Sequence, residues 1–220
     1  MIILSTFLFA IINLVAFWQA YPDIKTQLWP QFSQDKSFQH RVYFILITLV
    51  VIWSAQAGIK TGLSVHFLAL TALTLAFGWR SAFILCLPAC LGLMLLGKLS
   101  IMQLPHYLVL SGLFPILISY AVFKFSYHYL PRNIFIFIFV AGFFNAGFTG
   151  SSHLVINALY QWLNGNYDWN TIYTNYLMLL PLLIFPEGLL NGMVIAVLVV
   201  FKPEWLRLFS DRDYLYHIKG

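Results

Sequence analysis

The chain has 220 residues, of which 61% are apolar and only 9% are charged. Soluble domains usually carry about 25% charged and about 45–50% apolar residues, so this composition excludes a water-soluble fold. The net charge of +5 does not indicate a nucleic-acid interface, because the 12 Lys and Arg residues are too few and too scattered to form a basic patch. The two cysteines, Cys86 and Cys90, lie inside one apolar run, which excludes a secreted disulfide framework.

Hydropathy along the chain predicts an all-α integral membrane protein with seven transmembrane helices. A transmembrane helix needs about 20 mostly apolar residues, and fewer where neighbouring protein shields it. The predicted spans are Ile2–Ala20, Val42–Ala57, Gly62–Phe77, Ser81–Gly97, Tyr107–Phe123, Asn133–Leu163 and Thr171–Phe201. The first span has no basic residue before it, so we interpret it as a retained helix and not as a cleaved signal peptide.

The last two predicted spans are long enough to tilt, kink or break. Glycine and proline are the usual causes of such interruptions in membrane helices. The candidate break points are Gly142, Gly147 and Gly150 in the sixth span and Pro181 and Pro186 in the seventh. We therefore expect both helices to be broken or kinked.

The distribution of basic residues predicts an N-terminus outside and a C-terminus in the cytoplasm. Cytoplasmic segments of membrane proteins carry an excess of Lys and Arg. In this orientation the cytoplasmic segments hold ten of the 12 basic residues, and the outside loops hold only Lys60 and Lys98. The whole chain, residues 1–220, is then one transmembrane domain, and residues 201–220 form a short cytoplasmic tail.

Three ionisable side chains within the predicted spans are candidate metal ligands. Such groups are costly inside a bilayer and are often functional. His66 and His153 lie in the outer halves of the third and sixth spans, and Glu187 lies near the middle of the seventh, directly after Pro186. Two imidazoles and a carboxylate suit a divalent transition metal. The sequence therefore predicts a metal site formed by His66, His153 and Glu187.

Structural roles stay open for two of these residues. A buried histidine such as His153 can be a hydrogen-bonded core residue. Glu187 can accept hydrogen bonds from Asn191 or Asn145 and so hold a broken helix together. The residue types alone do not decide between these roles and metal binding.

The cysteine pair has two interpretations as well. Cys86 and Cys90 are four residues apart on one helix face, a spacing that can bind soft metals. Pro88 lies between them, however, and isolated buried cysteines usually act as small apolar residues.

Two stretches resemble the CbiM/NikM-like permeases of energy-coupling-factor transporters. The segment Gly62–Leu68 (GLSVHFL), continuing to Leu75–Gly78 (LAFG), resembles the third-helix motif of that family. The segment Phe185–Met193 (FPEGLLNGM), followed by Lys202–Trp205 and Asp211–Leu215, is similar to its final helix and tail. The spacing and the number of helices agree with a resemblance over the whole chain.

The resemblance implies a substrate-capturing, multi-pass subunit for cobalt or nickel uptake in a bacterial inner membrane. Such subunits work with a coupling transmembrane subunit and cytoplasmic ATPase subunits, and the metal ion is the substrate and not a permanent cofactor. In that family the metal is held by the N-terminal amine, by the backbone nitrogen and His side chain of the second residue, and by a His at the position of His66. This square-planar nitrogen set is typical of Ni(II).

The start of this chain departs from that pattern, because Ile2 stands where the family has His. Only His66 carries over, so the four-nitrogen site cannot form unchanged. Either His153 and other groups rebuild a site, or the substrate differs, or this branch has lost metal transport, or the start codon is wrongly assigned.

The leading prediction is a permease subunit of an energy-coupling-factor type ABC transporter that captures a divalent transition metal near His66. The main alternative is a non-transporting membrane scaffold or assembly protein that kept the fold but lost the metal site. An intramembrane enzyme with Glu187 and His153 as acid and base has less support, since phosphate-loop, H-E-x-x-H and G-x-S-x-G motifs are absent from the sequence. We therefore expect no enzymatic activity.

Overall fold

The structure, a computed structural model, describes residues 2–58, 60 and 62–214, with side chains from Ser5 onward. Six helices in this part of the chain are long and apolar enough to cross a membrane. They are α1 (Ser5–Gln34), α2 (Lys36–Ser54), α3 (Leu70–Leu95), α4 (Leu104–Tyr129), α5 (Ile134–Leu163) and α6 (Trp169–Phe201). A short helix, α7 (Asp211–Tyr214), lies in the tail. The predicted all-helical membrane protein is confirmed, with six such helices where seven were predicted.

The first two helices are longer than predicted and nearly continuous with each other. The helix Ile2–Asp23, which includes the first part of α1, passes through a π-helical turn, Ile24–Leu28, into the helix Trp29–Gln34. Asp35 alone separates α1 from α2, and its carboxylate accepts a hydrogen bond from the backbone N–H of Ser37 at 2.8 Å. Asp35 is therefore the N-cap of α2 and marks the boundary between the two helices.

The central helix of the bundle is α3. In its most apolar stretch 67% of the residues are buried, against 17% in α1. A helix that is apolar on all sides must be surrounded either by protein or by lipid. The helix α3 is surrounded by protein, whereas α1 turns most of its surface outward.

The bundle has two distinguishable ends. At one end, named here the basic end, the carboxylate of Asp23 forms ion pairs with Arg80 and Arg207. At the opposite end, named here the site end, the rings of His106 and Tyr160 contact each other where α4 begins and α5 finishes. The start of α4 and the end of α5 therefore lie at the site end.

The predicted third helix is wrong in its first half. Residues 62–69 are not helical, and the helix begins only at Leu70. Gly62 lies at the site end, where its carbonyl oxygen accepts a hydrogen bond from the side chain of Gln161 at 3.0 Å. An extended segment followed by two helical turns therefore replaces the predicted continuous helix.

The predicted third and fourth helices join at Gly78, within α3. Gly78 has φ 76° and ψ 160°, a conformation that is essentially restricted to glycine. At this turn the carbonyl oxygen of Phe77 accepts a hydrogen bond from Arg207, which places Phe77 at the basic end. Beyond the turn, Gly92 packs against Val50, close to the site end of α2. The two parts of α3 therefore run in opposite directions.

The last two long helices are irregular, as predicted, but of the predicted break points only Gly142 lies within an irregular stretch. In α6 the interruption lies at Tyr176, with φ −136°, and Pro186 lies inside the continuous helix Leu180–Phe201. In α5 the irregular part is the π-helical stretch Phe137–Phe144, which contains Gly142, whereas Gly147 and Gly150 lie in the regular helix that follows. Membrane helices tolerate an internal proline when neighbouring groups satisfy the freed backbone, so Pro186 does not need to break α6.

Candidate metal-binding site

The segment before α3 places His66 beside the end of α2. Ala57 and Val65 pair their backbones in two hydrogen bonds of 2.9 and 2.7 Å. The indole N–H of Trp53 donates to the carbonyl oxygen of Leu68 at 3.0 Å. These bonds fix the chain on both sides of His66 and direct its imidazole into the bundle.

His66 lies in a buried aromatic pocket and is 5% exposed. Its ring stacks on that of Tyr107 at a centroid distance of 6.0 Å and an interplanar angle of 14°. Its Nε2 lies 3.2 Å from the Tyr107 hydroxyl. Its Nδ1 is buried and has no hydrogen-bond partner among the described residues. Buried polar atoms are normally paired, so the free Nδ1 is an available ligand atom.

His153 reaches the same pocket from α5. It is 3% exposed, and its ring centroid lies 5.8 Å from that of His66, with the two rings at 69°. Its Nε2 lies 3.0 Å from the hydroxyl of Ser111. Two of the three predicted site residues, on separate elements of the fold, are therefore in contact.

Glu187 caps the start of α3 from α6. Its two carboxylate oxygens accept hydrogen bonds from the backbone N–H groups of Leu68 and Ala69, both at 2.9 Å. The side-chain amide of Asn191 donates a third bond to this carboxylate at 2.9 Å. The side-chain oxygen of Asn191 accepts a hydrogen bond from the backbone N–H of Ala72 at 2.9 Å.

This capping has a local cause. The first N–H groups of a helix lack partners within the helix, and a Ser, Thr, Asp or Asn at the N-cap usually satisfies one of them. The N-cap here is Ala69, which has a left-handed conformation with φ 55° and no side-chain acceptor. Glu187 and Asn191 supply the missing acceptors from a neighbouring helix, so Glu187 positions the segment that carries His66.

Of the two roles left open for Glu187, the contacts therefore support the structural one. The three partners of its carboxylate are all N–H donors, which an ionised carboxylate accepts without a proton of its own. In the part of the chain that the structure describes, no group of three or more His, Cys, Asp or Glu side chains converges. The predicted metal role of Glu187 stays a prediction.

The two cysteines are both buried in α3, and neither forms a disulfide. The thiol of Cys86 lies 3.3 Å from the carbonyl oxygen of Ala82, one turn earlier in the helix. The helix continues through Pro88 between them. This environment suits small apolar core residues, the second of the two interpretations.

A model of the family CbiM, described as the cobalt uptake substrate-specific transmembrane region, matches residues 3–205. The chain belongs to this family. The match covers nearly the whole chain and confirms the resemblance that the two motifs indicated. No curated protein and no solved structure matches the chain.

In this CbiM-family chain the sequence did not predict the two hydroxyl partners of the imidazoles, Tyr107 and Ser111. Tyr107 is the first residue of the predicted fifth span, and Ser111 is a common residue in apolar helices. Their only sequence signal is a spacing of four residues, which places both hydroxyls on one face of α4. Residue Met1, whose position the resemblance links to a metal site, lies outside the described residues.

Proposed function

We propose that this chain is the permease subunit that captures a divalent transition metal of the cobalt and nickel class for an energy-coupling-factor type ABC transporter. Family membership supports cobalt uptake, and one observation carries the site. The Nδ1 of the buried His66 has no hydrogen-bond partner among the described residues, and its ring centroid lies 5.8 Å from that of the buried His153.

The distance between the rings suits a shared metal ion. Two imidazoles bound to one metal at about 2.0 Å have ring centres roughly 4.5 to 6.3 Å apart, depending on the angle between them. Metal-binding histidines usually donate their other N–H to an oxygen, which fixes the tautomer and raises the basicity of the ligand atom. The hydroxyls of Tyr107 and Ser111 take this role at Nε2 of the two rings, and the Nδ1 atoms bind the metal.

The proposed topology has seven crossings, with the N-terminus outside and the C-terminus in the cytoplasm of a bacterial inner membrane. The segment Gly62–Phe77 is the third crossing. The positive-inside rule supports this orientation, since the basic end then faces the cytoplasm. Metal enters at the site end, and the coupling subunit and the ATPases act at the basic end.

The element Gly62–Phe77 joins the metal site to the cytoplasmic surface. Near its middle, Glu187 fixes the two residues that precede α3, and at its basic end the backbone N–H of Arg207 donates to the carbonyl oxygen of Ala76 at 3.0 Å. A displacement of this element at the basic end, driven by the ATPase partners, moves His66 relative to His153 and releases the metal inward.

Titration of the purified protein with Co(II), Ni(II), Cu(II) and Zn(II) tests the proposed site. We expect one high-affinity ion per chain, and His66→Ala and His153→Ala should each weaken binding at least tenfold, because each removes one of few ligands. The matched control is His128→Ala, since His128 is exposed and contacts the carbonyl of Lys124 at the basic end. Equal affinity in His66→Ala and His128→Ala contradicts the proposal.

Cysteine labelling tests the topology. Gln34, next to the basic end, and Asn170, next to the site end, are both exposed. A cysteine placed at Gln34 should react only from the cytoplasmic side, and one at Asn170 only from outside. The reverse pattern refutes the proposed orientation.

The alternative is a membrane scaffold that kept the fold without a working site. Two observations favour it: Ile2 replaces the family His, and no third ligand of the four residue types joins the two imidazoles in the described residues. Metal uptake by vesicles that contain the chain with its coupling and ATPase partners distinguishes the two functions. A scaffold supports no uptake and binds none of the four metals.

A further inference from the structure

A polar cavity and an apolar groove meet at the basic end of the bundle. The cavity has a volume of about 390 Å³, and its polar lining includes Gln27, Gln31, Asp35 and Glu204. The groove has a volume of about 620 Å³ and lies between α2, α3 and α6, where mostly aliphatic and aromatic side chains line it.

The two spaces share one wall. Ser37, Arg41, Phe77 and Trp205 line both the cavity and the groove. Phe44 lines the groove one turn of α2 away from Arg41 and is 70% exposed, so the groove opens to the side of the bundle. A polar space at the bundle end therefore continues into an apolar space along its flank.

Arg41, on the shared wall, forms no ion pair within the described residues, and the carboxylates that act on its charge are Asp35 and Glu204. Its guanidinium carbon lies 4.8 Å from the ring centroids of both Phe38 and Trp205. Aromatic rings attract the charge but offer no oxygen to the N–H groups. The Nε of Arg41 is buried and has no hydrogen-bond partner, and no carboxylate lies within ion-pair distance among the described residues. An arginine has five N–H donors and suits the oxygens of a phosphate.

Two carboxylates line the polar cavity beyond this arginine. Asp35 accepts a hydrogen bond from a backbone N–H and forms no ion pair within the described residues. Glu204 pairs with Lys202 at 3.5 Å, but both side chains are more than half exposed, so the pair is weak. The cavity therefore presents Arg41 next to the groove and two carboxylates outside the groove lining, and its second arginine, Arg207, is paired with Asp23.

We propose that this composite site binds phosphatidylethanolamine, with an acyl chain in the groove, the phosphate on Arg41 and the ammonium group near Asp35 and Glu204. The ammonium group donates hydrogen bonds to carboxylates, which the quaternary ammonium of phosphatidylcholine cannot do. Phosphatidylglycerol has a phosphate but brings no cation to the carboxylates. The proposal is independent of metal transport and concerns residues at the end of the bundle opposite His66.

Native mass spectrometry of the delipidated full chain tests this proposal with lipids of matched acyl chains. We expect phosphatidylethanolamine to bind about tenfold more tightly than phosphatidylcholine or phosphatidylglycerol, as the loss of one charge-assisted hydrogen bond predicts. Arg41→Gln should abolish this preference. Arg212→Gln is the matched control, because Arg212 is an exposed arginine in the tail and should leave the preference unchanged.

Two further arms keep the test decisive. Soluble phosphoethanolamine should bind at least tenfold more weakly than phosphatidylethanolamine, because it cannot fill the groove. Equal binding of the two shows a site for the headgroup only and overturns the proposal. If Arg41→Gln does not fold, Arg41→Lys keeps the charge and should retain part of the preference. Equal retention of the three lipids, tighter binding of phosphatidylglycerol, or dimers that displace the lipid each overturn it too.

Discussion

Replacing Glu187 with glutamine should destabilise the protein, because the carboxylate accepts only N–H donors. A glutamine keeps one acceptor oxygen, so one of the backbone N–H groups of Leu68 and Ala69 must face an amide NH₂ instead. A buried donor without a partner costs about 1–3 kcal/mol. The lost charge faced the N-terminus of a helix, which adds about 1 kcal/mol. We therefore expect a loss of about 2–4 kcal/mol in the free energy of unfolding.

Thermal unfolding in detergent measures this loss. For a chain of this length, 2–4 kcal/mol corresponds to a midpoint roughly 5–15 °C lower. Glu204→Gln is the matched control, since Glu204 is 60% exposed, and its midpoint should not change. Metal affinity should fall as well, because Leu68 follows His66 by two residues and a loosened segment no longer fixes the imidazole. Wild-type stability and affinity in Glu187→Gln would refute the capping role.

Two further substitutions test the turn within α3 and the basic end. Gly78→Ala should cost about 1–3 kcal/mol in stability, since φ 76° and ψ 160° exclude a side chain and the new Cβ would lie 3.3 Å from Arg207. The control is Gly97→Ala, because Gly97 also has a positive φ, of 68°, but has open space around the position of the new Cβ. Asp23→Asn should cost about 1–2 kcal/mol, because it removes a buried carboxylate 2.6 Å from a partly exposed Arg207, whereas Glu204→Gln breaks only a surface pair. Chemical unfolding in mixed micelles measures the stability of each variant. A Gly78→Ala midpoint equal to that of Gly97→Ala contradicts the argument for the turn. An Asp23→Asn midpoint equal to that of Glu204→Gln contradicts the argument for the buried carboxylate.

The membrane helices could be predicted because their signal is local. Every long helix has an apolar stretch that hydropathy detects, and the predicted last span, Thr171–Phe201, agrees with α6 to within two residues. The meeting of His66 and His153 could also be predicted, since membrane-embedded imidazoles are costly and tend to cluster at functional sites.

The non-helical start of the third span could not be predicted, because its cause is distant in the chain. The segment before Leu70 is as apolar as a helix. Its conformation depends on hydrogen bonds from Leu68 and Ala69 to Glu187, about 119 residues later. A periodicity argument considers only neighbours and does not detect such a contact. Likewise, the conformation at Gly78 depends on the tail, where Arg207 donates to a carbonyl of the interrupted helix.

The central claim is that His66 and His153 together bind the transported metal. X-ray absorption spectroscopy of the cobalt-loaded protein tests it most directly, because multiple scattering from imidazole rings reports the number of histidine ligands. We predict two imidazoles per cobalt in the wild type and in the control variant His128→Ala. We predict one or none in His66→Ala and in His153→Ala. A spectrum without imidazole scattering, or one that is unchanged in both single variants, contradicts the claim.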